Sequence, residues 1–258
     1  MTAETRPAPM PGIRQITPED IKDALRAGVA DLAAGSVYSL FFGAVFSALR
    51  ILIWFLLVFE GSSYWALPLA AGFPLIGPFA AVGLYEISRR REQGEPLSWP
   101  VVLGAVMREG RFQVPSYAFI VLFVFLIWVY LAHLVFALSF GLKPLTNVMT
   151  SFDLLFGSAG ITMLVVGTIV GGAIAVFLFV ISVVSVPLLM DRDIDVVTAM
   201  ITSVRAVAAS PQPMLIWGLT LAGICVLGML PLFLGMIIAF PILGHASWHL
   251  FRKAVEPA

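Results

Sequence analysis

Long apolar stretches separated by short polar segments dominate the hydropathy pattern of this chain. A membrane-spanning helix needs about 20 apolar residues, and stretches of that length begin near positions 37, 64, 115 and 160. A further apolar region, 214–250, would be about 55 Å long as one helix, and Gly228 and Pro231 mark a break within it. The predicted spans are about 37–59, 64–85, 115–140, 160–190, 214–229 and 231–250.

The basic residues predict the orientation of these six spans. Of 15 Lys and Arg residues, 13 lie in four segments: the N-terminus, 86–114, 191–212 and the tail after 250. Positive charge favours the cytoplasmic side, and six spans place all four segments there, whereas five would send the tail outside. We therefore expect a single membrane domain over 17–253 with both termini cytoplasmic, a disordered N-terminus (1–16) and a short tail (254–258).

The composition is typical of a membrane protein. Hydrophobic residues make up 60% of the 258 positions, charged residues only 12%, and the mean hydropathy is +1.00, whereas soluble domains carry about 25% charged residues. The net charge is zero, which gives no reason to expect a nucleic-acid partner. The single cysteine, Cys225, excludes an internal disulfide and a CxxC metal pattern. The polar N-terminus lacks a signal-peptide pattern, so we expect the first span to direct insertion.

Three amphipathic helices are predicted in the cytoplasmic segments. The first opens with "TPED" (17–20), a capping box with proline at the first helical position. The starting residues and apolar stripes are Thr17 with Ile21, Leu25, Val29 and Leu32; Ser98 with Trp99, Leu103 and Val106; and Asp193 or Asp195 with Ile194, Val197, Ile201 and Val204. Two locations are open for each helix: the membrane interface, with the stripe in lipid, or an ordinary packing contact with the bundle.

Two spans share a short motif. "FPLIG" (73–77) and "FPILG" (240–244) lie 167 positions apart, and "LPL" stands upstream of both. This predicts repeated helix-pair units, with a middle copy at "VPLL" (186–189) left open. Pro74, Pro78 and Pro241 would each remove a backbone donor and kink a helix. Such kinks form either a hinge that lines a cavity or static packing contacts.

Two segments resemble a known family. "PLAAGFPLIGPFAAVGLYEISRRREQGE" (68–95) and the tail "FPILGHASWHLFRK" (240–253) are similar to a bacterial family of predicted integral membrane proteins, domain of unknown function 2189, over about 21–253. The resemblance implies a six-span inner-membrane protein and no known activity. Some relatives are labelled cytochrome c oxidase subunit I. The catalytic core that this label implies is a larger helix bundle, and it binds its haems and copper with more histidines than the three of this chain. This chain therefore cannot be that catalytic subunit.

The histidines are the candidate metal or haem ligands. His245 and His249 are four residues apart, which places them on one face of a helix, and imidazole pairs bind metals and haem. No third ligand is near in sequence, so the alternative is two interfacial histidines beside Trp248 in an aromatic belt. His133, in the third span, is expected to form hydrogen bonds between helices. Metal binding, other cofactors and catalytic residues are otherwise not expected.

Arginines provide the remaining candidate sites. Arg50 falls near the middle of the first span, where a charge costs a few kcal/mol and normally faces the bundle or water. It would contact an anion or carboxylate, or form a relay with His133; alternatively it would snorkel outward or bind helix carbonyls. Arg89, Arg90 and Arg91 could bind anionic lipid headgroups, or act first as a topology anchor.

The chain lacks HExxH, P-loop and GxSxG motifs and paired intramembrane acids, so we do not expect an enzyme. We expect a non-enzymatic accessory or scaffold subunit of a larger membrane complex, with a respiratory complex as one candidate. The expected partners are membrane lipids and that complex or further copies of the chain. The alternative is a small-molecule or ion transporter or channel with a central cavity near Arg50. A weaker third reading is an enzyme acting on a lipid-soluble substrate.

Overall fold

The computed structural model describes residues 10–59, 81–109, 114–141 and 156–257. These ranges are all α-helical with turns between the helices and contain no β-strand, as expected. The helices are α1 (Pro18–Ala34), α2 (Ser36–Phe59), α3 (Val82–Glu92), α4 (Trp99–Glu109), α5 (Val114–Phe140), α6 (Ser158–Ser182), α7 (Ser185–Asp191), α8 (Val196–Ala209), α9 (Pro211–Met229) and α10 (Met236–Ala254).

The predicted starts of the amphipathic helices are confirmed. The Asp20 backbone N–H donates to Thr17 Oγ1 at 3.3 Å, and the Thr17 backbone N–H donates to Asp20 Oδ2 at 2.8 Å. These two bonds form the capping box that satisfies donors at the start of α1. At α8 it is Asp195 that caps the helix, because Oδ1 accepts from the Thr198 backbone N–H at 2.9 Å.

Four helical segments of the described residues are long and apolar enough to cross a membrane. They are Ser36–Phe55, Phe119–Phe140, Ser158–Asp191 and Pro211–Met229. All four coincide with predicted spans. The one that matches the predicted 160–190 contains a turn at 183–184, which divides it into α6 and α7. The predicted second span, 64–85, lies mainly outside the described residues, as do Pro74 and Pro78. The described residues therefore contain four candidate spans and do not establish six.

The final apolar region differs from a simple sixth span. Turns occupy 230–235, where Leu232 and Phe233 take left-handed φ values of 50° and 66°. Helix α10 begins only at Met236, ends at Ala254, and is not among the four candidate spans. It packs against α1, α2, α3, α7 and α9 and is largely buried. The helix predicted to face lipid is thus the central packing element of the described residues.

Helix α1 packs against the bundle, as one of its two open locations requires. Its buried face consists of Ile21, Ala24, Gly28 and Asp31, and it packs against α10. Of the predicted stripe, Ile21 is buried and Leu25 is partly buried, whereas Val29 is 51% exposed, so the buried face of α1 only partly coincides with that stripe. Small residues at 24 and 28 permit close approach to α10 in a way that the larger Leu25 and Val29 would not.

The predicted disorder of 1–16 is also wrong for residues 10–16. The Arg14 backbone N–H donates to the Ala254 carbonyl at 2.9 Å, and the Glu256 N–H donates to the Gly12 carbonyl at 3.0 Å. The Ile16 N–H donates to Ser210 Oγ at 2.9 Å. These bonds tie the segment before α1 to the end of α10 and the start of α9. Residues 1–9 lie outside the described ranges.

Candidate functional site

A close contact between α1 and α10 positions the polar residues of the chain. A Cβ atom added to Gly28 would lie 2.7 Å from the Ile242 carbonyl oxygen and 2.8 Å from the Ala246 backbone nitrogen. Only glycine fits between these backbone atoms without a shift. One turn further along α1, this approach places Asp31 beside the histidine-bearing face of α10.

Asp31 is a buried carboxylate at the centre of a polar cluster. His249 Nε2 donates to Asp31 Oδ2 at 2.8 Å, and Arg91 of α3 pairs with Asp31 Oδ1. Burial alone would raise the pKa of the Asp31 carboxyl, but the hydrogen bonds of His249 and Ser88 outweigh it and lower the pKa below its usual value. Asp31 is therefore ionised and compensated at neutral pH.

His245 lies fully buried between two serine hydroxyls. Its Nε2 atom is 2.8 Å from Ser39 Oγ of α2, and its Nδ1 atom is 2.7 Å from Ser88 Oγ of α3. Ser88 also hydrogen-bonds Asp31, whose Oδ2 atom is 4.0 Å from His245 Nδ1. The ring nitrogens of His245 and the two hydroxyls all have hydrogen-bond partners if Ser39 donates to Nε2, Nδ1–H donates to Ser88, and Ser88 donates to Asp31. We call Asp31, Ser39, Ser88, Arg91, His245 and His249 the polar hub.

Beside the hub, a charged cluster joins the ends of α3, α7 and α10. Arg252 Nε donates to Glu92 Oε1 at 3.1 Å, and Arg252 Nη1 donates to Asp191 Oδ2 at 3.5 Å. The indole N–H of Trp248 donates to Glu92 Oε2 at 3.2 Å. These contacts hold the C-terminal ends of α3, α7 and α10 next to one another.

The polar hub contains a hydroxyl–imidazole–carboxylate series, the groups that activate a nucleophile in hydrolases. Here, however, Ser39, Ser88 and His245 are all fully buried, so no substrate reaches either hydroxyl in this arrangement. Both serine hydroxyls and both ring nitrogens of His245 are bonded to other members of the hub. The geometry supports a closed network that fixes the mutual positions of α1, α2, α3 and α10.

The histidine pair does not form a metal site with other ligands in the described ranges. No group of three or more His, Cys, Asp or Glu side chains there is arranged to hold a metal ion. The partners of His245 and His249 are instead the two hub serines and Asp31. His245 and Trp248 are both fully buried in the protein, so neither side chain contacts lipid directly, and the interfacial depth of the pair stays a prediction.

Arg50 points into the bundle. It is 3% exposed, its Nη2 atom lies 3.6 Å from Met229 Sδ, and its guanidinium carbon lies 4.8 Å from the centre of the Phe233 ring. The turn after α9 therefore packs on this arginine through a cation–π contact. Such burial does not fit the alternative in which Arg50 snorkels outward, and the relay with His133 stays a prediction. The Nδ1 atom of His133 lies 3.1 Å from the Val129 carbonyl oxygen of its own helix.

Pro241 lies inside α10 at the contact with α2. Proline has no N–H to donate to the carbonyl four residues earlier, here that of Ile237. A Cβ atom added to Gly43 would overlap this carbonyl and would lie 3.0 Å from Pro241 Cγ. Next to this contact, the rings of Phe46 and Phe240 stack with centres 4.1 Å apart. In the described residues Pro241 thus serves a close helix–helix contact.

The three consecutive arginines of α3 form ion pairs within the chain. Arg89 Nη2 lies 2.6 Å from Glu86 Oε2, Arg90 Nε lies 2.9 Å from Glu86 Oε1, and Arg91 pairs with Asp31. The Glu86 side chain is buried between the first two. Binding of lipid headgroups by these arginines stays a prediction.

The sequence alone did not single out Asp31, Ser39 or Ser88. A signal for Asp31 was present, because Ala24, Gly28 and Asp31 follow a helical spacing with small residues before the acid. Ser39 and Ser88 carry no comparable local signal, since their partner His245 lies 206 and 157 positions away.

The fold and the apolar helices define the class as an all-α integral membrane protein with several spans. The family described as predicted integral membrane protein (DUF2189) matches residues 66–191, which is 126 of 258 positions. The resemblance to this family is thereby confirmed over that segment, which is shorter than the expected 21–253. No curated protein and no solved structure matches the chain. Ser88 and Arg91 fall within the match, whereas Asp31, Ser39, His245 and His249 lie outside it.

Proposed function

We propose that the chain is a non-enzymatic accessory subunit that packs against a larger membrane complex, with a respiratory complex as one candidate. The observation that carries this proposal is the position of Tyr130 on α5. Tyr130 is 74% exposed and lies near the middle of the candidate span Phe119–Phe140. At 1.5 Å per residue it is about 16 Å from Phe119 and about 15 Å from Phe140.

A phenol at this depth favours a protein partner over lipid. Tyrosines that face lipid collect at the two membrane–water interfaces, where the hydroxyl reaches water. In the hydrocarbon core no water is available, and an unsatisfied polar group is costly. A helix of another protein that offers a carbonyl or side-chain acceptor would satisfy the Tyr130 hydroxyl.

Helix α5 has room for such a partner. Among the described helices its main neighbour is α6, which it contacts through Trp128 on Gly171 and through a 3.0 Å hydrogen bond from Tyr117 Oη to the Ile181 carbonyl. The side of α5 around Tyr130 is apolar and exposed and includes Phe119, Phe123, Leu126 and Leu138. Apolar surface alone does not drive association between helices in lipid, so Tyr130 supplies the polar anchor and these residues the packing surface.

The closed polar hub supports the non-enzymatic part of the proposal. Its hydroxyls and imidazoles are buried and bonded to one another, which suits a rigid scaffold better than a reaction centre.

The test is purification of tagged chain from its native membrane in mild detergent, followed by mass spectrometry. The wild type is expected to retain a second protein in fixed stoichiometry, and Tyr130→Phe to weaken retention roughly threefold to twentyfold, since hydrogen bonds between membrane helices contribute about 0.6–1.7 kcal/mol. Tyr38→Phe is the matched control, because the Tyr38 hydroxyl donates to the Leu97 carbonyl within the chain. A purified chain that contains only copies of itself would contradict the proposal.

The alternative function is a small-molecule or ion transporter or channel with a central cavity near Arg50. The observation that favours it is the inward direction of Arg50 within the candidate span Ser36–Phe55. Reconstitution in liposomes tests it: Arg50→Leu should abolish flux of a transported ion or solute while assembly is retained. If Arg50→Leu changed neither flux nor co-purification, neither function would depend on this residue.

For the topology, we propose six spans in a bacterial inner membrane, both termini in the cytoplasm, and an internal repeat of helix pairs. The support is the clustering of Lys and Arg in four segments and the paired "FPLIG" and "FPILG" motifs. Reporter fusions after Ala258 and within 141–156 test the topology. The C-terminal fusion should report the cytoplasm and the internal one the opposite side; the same side for both would contradict it.

A further inference from the structure

We propose that α4 and α8 lie in the membrane interface with their outer apolar stripes in the boundary between headgroups and acyl chains, while α1 stays out of the lipid on α10. The occupant of both stripes is the lipid bilayer. This inference is independent of the accessory function, because it concerns how the chain meets its own membrane.

Helix α8 has one face that packs against the protein and one face that is exposed. Ala199, Thr202, Ser203 and Ala206 are buried against the protein. The outer stripe consists of Val197, Ile201 and Val204, which are 63%, 42% and 42% exposed and follow the helical spacing of four and three residues. The uncharged polar residues Thr202 and Ser203 thus face inward, whereas Val197, Ile201 and Val204 face outward with the exposed Arg205 beside them. A soluble surface helix would place its apolar residues inward.

Helix α4 repeats this arrangement. Val102 and Ala105 are buried, whereas Leu103 and Met107 are exposed, with Met107 at 65%. Trp99, at the start of the helix, packs against two aromatic rings at the beginning of the candidate span α2: its ring centre lies 4.6 Å from that of Tyr38 and 5.1 Å from that of Phe41.

The aromatic cluster of Trp99, Tyr38 and Phe41 indicates where α4 and α2 meet the headgroup level of the membrane. Trp and Tyr are enriched at the level of the headgroups, and Tyr38 lies in the first turn of α2, where the candidate span begins. The start of α4 is therefore placed at the interface by its own ring contacts.

Helices α4 and α8 begin at the same depth relative to the membrane. Arg252 contacts both Glu92, the last residue of α3, and Asp191, the last residue of α7. Arg89 Nη1 also donates to the Met190 carbonyl at 3.4 Å. Because α4 follows α3 and α8 follows α7 within a few residues, the interface that the aromatic cluster defines for α4 also applies to the start of α8.

Helices α4 and α8 are too short to span the membrane, and α8 continues almost directly into the candidate span α9. At 1.5 Å per residue, α4 and α8 are about 17 Å and 21 Å long, too short for a hydrocarbon core of about 30 Å. Only Ser210 separates α8 from the candidate span α9, whose Leu215 and Leu219 are exposed as well. The apolar surface of the span thus continues into α8. The exposed charges of α8 have both signs, with Asp193 and Asp195 at its start and Arg205 near its end, so the proposed insertion is driven by apolar contact and does not require anionic lipid.

The experiment uses the full chain with single cysteines in a Cys225→Ser background. Val204→Cys and Met107→Cys report on the two stripes. Val29→Cys is the matched control, because Val29 is an exposed apolar residue of similar accessibility on α1. Each variant is spin-labelled and reconstituted in phosphatidylcholine vesicles at two lipid-to-protein ratios. Collision with oxygen, which concentrates in lipid, is compared with collision with a water-soluble nickel chelate.

The two stripe labels should favour oxygen over nickel at least severalfold more than the Val29 label, at both lipid ratios and without anionic lipid. Nickel accessibility at 204 and 107 equal to that at 29 would overturn the proposal. Protection that disappears on dilution with lipid would overturn it too, because a second copy would then cover the stripes. Protection that requires phosphatidylglycerol would overturn the apolar mode of insertion.

Discussion

The Nε2 atom of His249 lies 2.8 Å from the Oδ2 atom of Asp31, although the two residues are 218 positions apart in the chain. This bond closes the first helix of the described residues onto the last. Together with Arg91 it compensates a carboxylate that is buried beside a central, largely apolar helix. The position of α10 against α1 and α3 depends on this pairing, since a shift by one turn would leave Asp31 without its partners.

Replacement of Asp31 by Asn tests this dependence. The amide keeps the size of the side chain but removes the charge that Arg91 and His249 face. We expect a loss of about 2–3 kcal/mol in the free energy of unfolding, because hydrogen bonds to buried charges are the strong ones and Arg91 is partly exposed. Asp23→Asn, which removes an exposed carboxylate from α1, should cost less than about 1 kcal/mol. Denaturation in detergent micelles measures both; equal effects would contradict the role of the hub.

His245 is expected to act together with its two serines. In His245→Phe, Ser39 and Ser88 lose their buried partner, with an expected cost of roughly 2–4 kcal/mol. Adding Ser39→Ala and Ser88→Ala removes the stranded hydroxyls, so the triple variant should be less destabilised than the sum of the separate changes by about 1–2 kcal/mol. Unfolding free energies of the full cycle measure this coupling, and strict additivity would show that the contacts do not form one network.

Gly28 and Gly104 form a matched pair of helical glycines. An added Cβ meets backbone atoms of α10 at Gly28 but nothing within 4 Å at Gly104. Gly28→Ala should therefore destabilise the protein by about 1–3 kcal/mol, whereas Gly104→Ala should be neutral or stabilise it by up to about 1 kcal/mol through helix propensity. Thermal unfolding of the two variants checks this, and a stabilised Gly28→Ala protein would exclude the close α1–α10 contact.

The ion pair between Asp20 of α1 and Lys253 of α10 should make the stability of the protein depend on pH in the acidic range. The hydrogen bond from Lys253 is the main cause that lowers the pKa of Asp20 from 3.8 to about 2. A lowered carboxyl pKa stabilises the folded state above pH 3.8, and the contribution is lost as the pH falls towards 2. The pair is partly exposed, so its contribution should not exceed about 1 kcal/mol.

Melting temperatures of the wild type and Lys253→Met between pH 6 and pH 2 test this pair. The difference between the two proteins should be constant above about pH 4 and shrink below it, because Asp20 then loses its charge in both. The pKa of Asp31 is lowered too, and its contribution remains in both proteins and cancels in the comparison. A difference that grows with acidity would have the wrong sign for this pair.

Local patterns explain which parts of the fold could be predicted from the sequence. The capping box at Thr17 and Asp20 and the cap at Asp195 are short-range motifs, and the helices they start were predicted at the right residues. The helices α2 and α5 were likewise evident as uninterrupted apolar stretches. Each of these features is decided by residues within about 25 positions of one another.

The polar hub depends on contacts that no local pattern reports. The apolar residues of α10 predicted a lipid-facing span, yet its face with His245 and His249 turns toward α1 and is buried. The choice between the stripe through Leu25 and Val29 and the face through Ala24 and Gly28 was decided by the fit of α1 onto α10. Since both faces contain apolar residues at helical spacing, hydropathy could not distinguish them.

The accessory function is tested most directly by photo-crosslinking at position 130 in the native membrane. A photoreactive phenylalanine analogue replaces Tyr130 on α5 in one strain and Val29 on α1 in another, and crosslinked products are identified by mass spectrometry. The proposal predicts one product at position 130 that contains a different membrane protein, with none at position 29. Only lipid adducts, or only crosslinks to a second copy of the chain, at position 130 would contradict it.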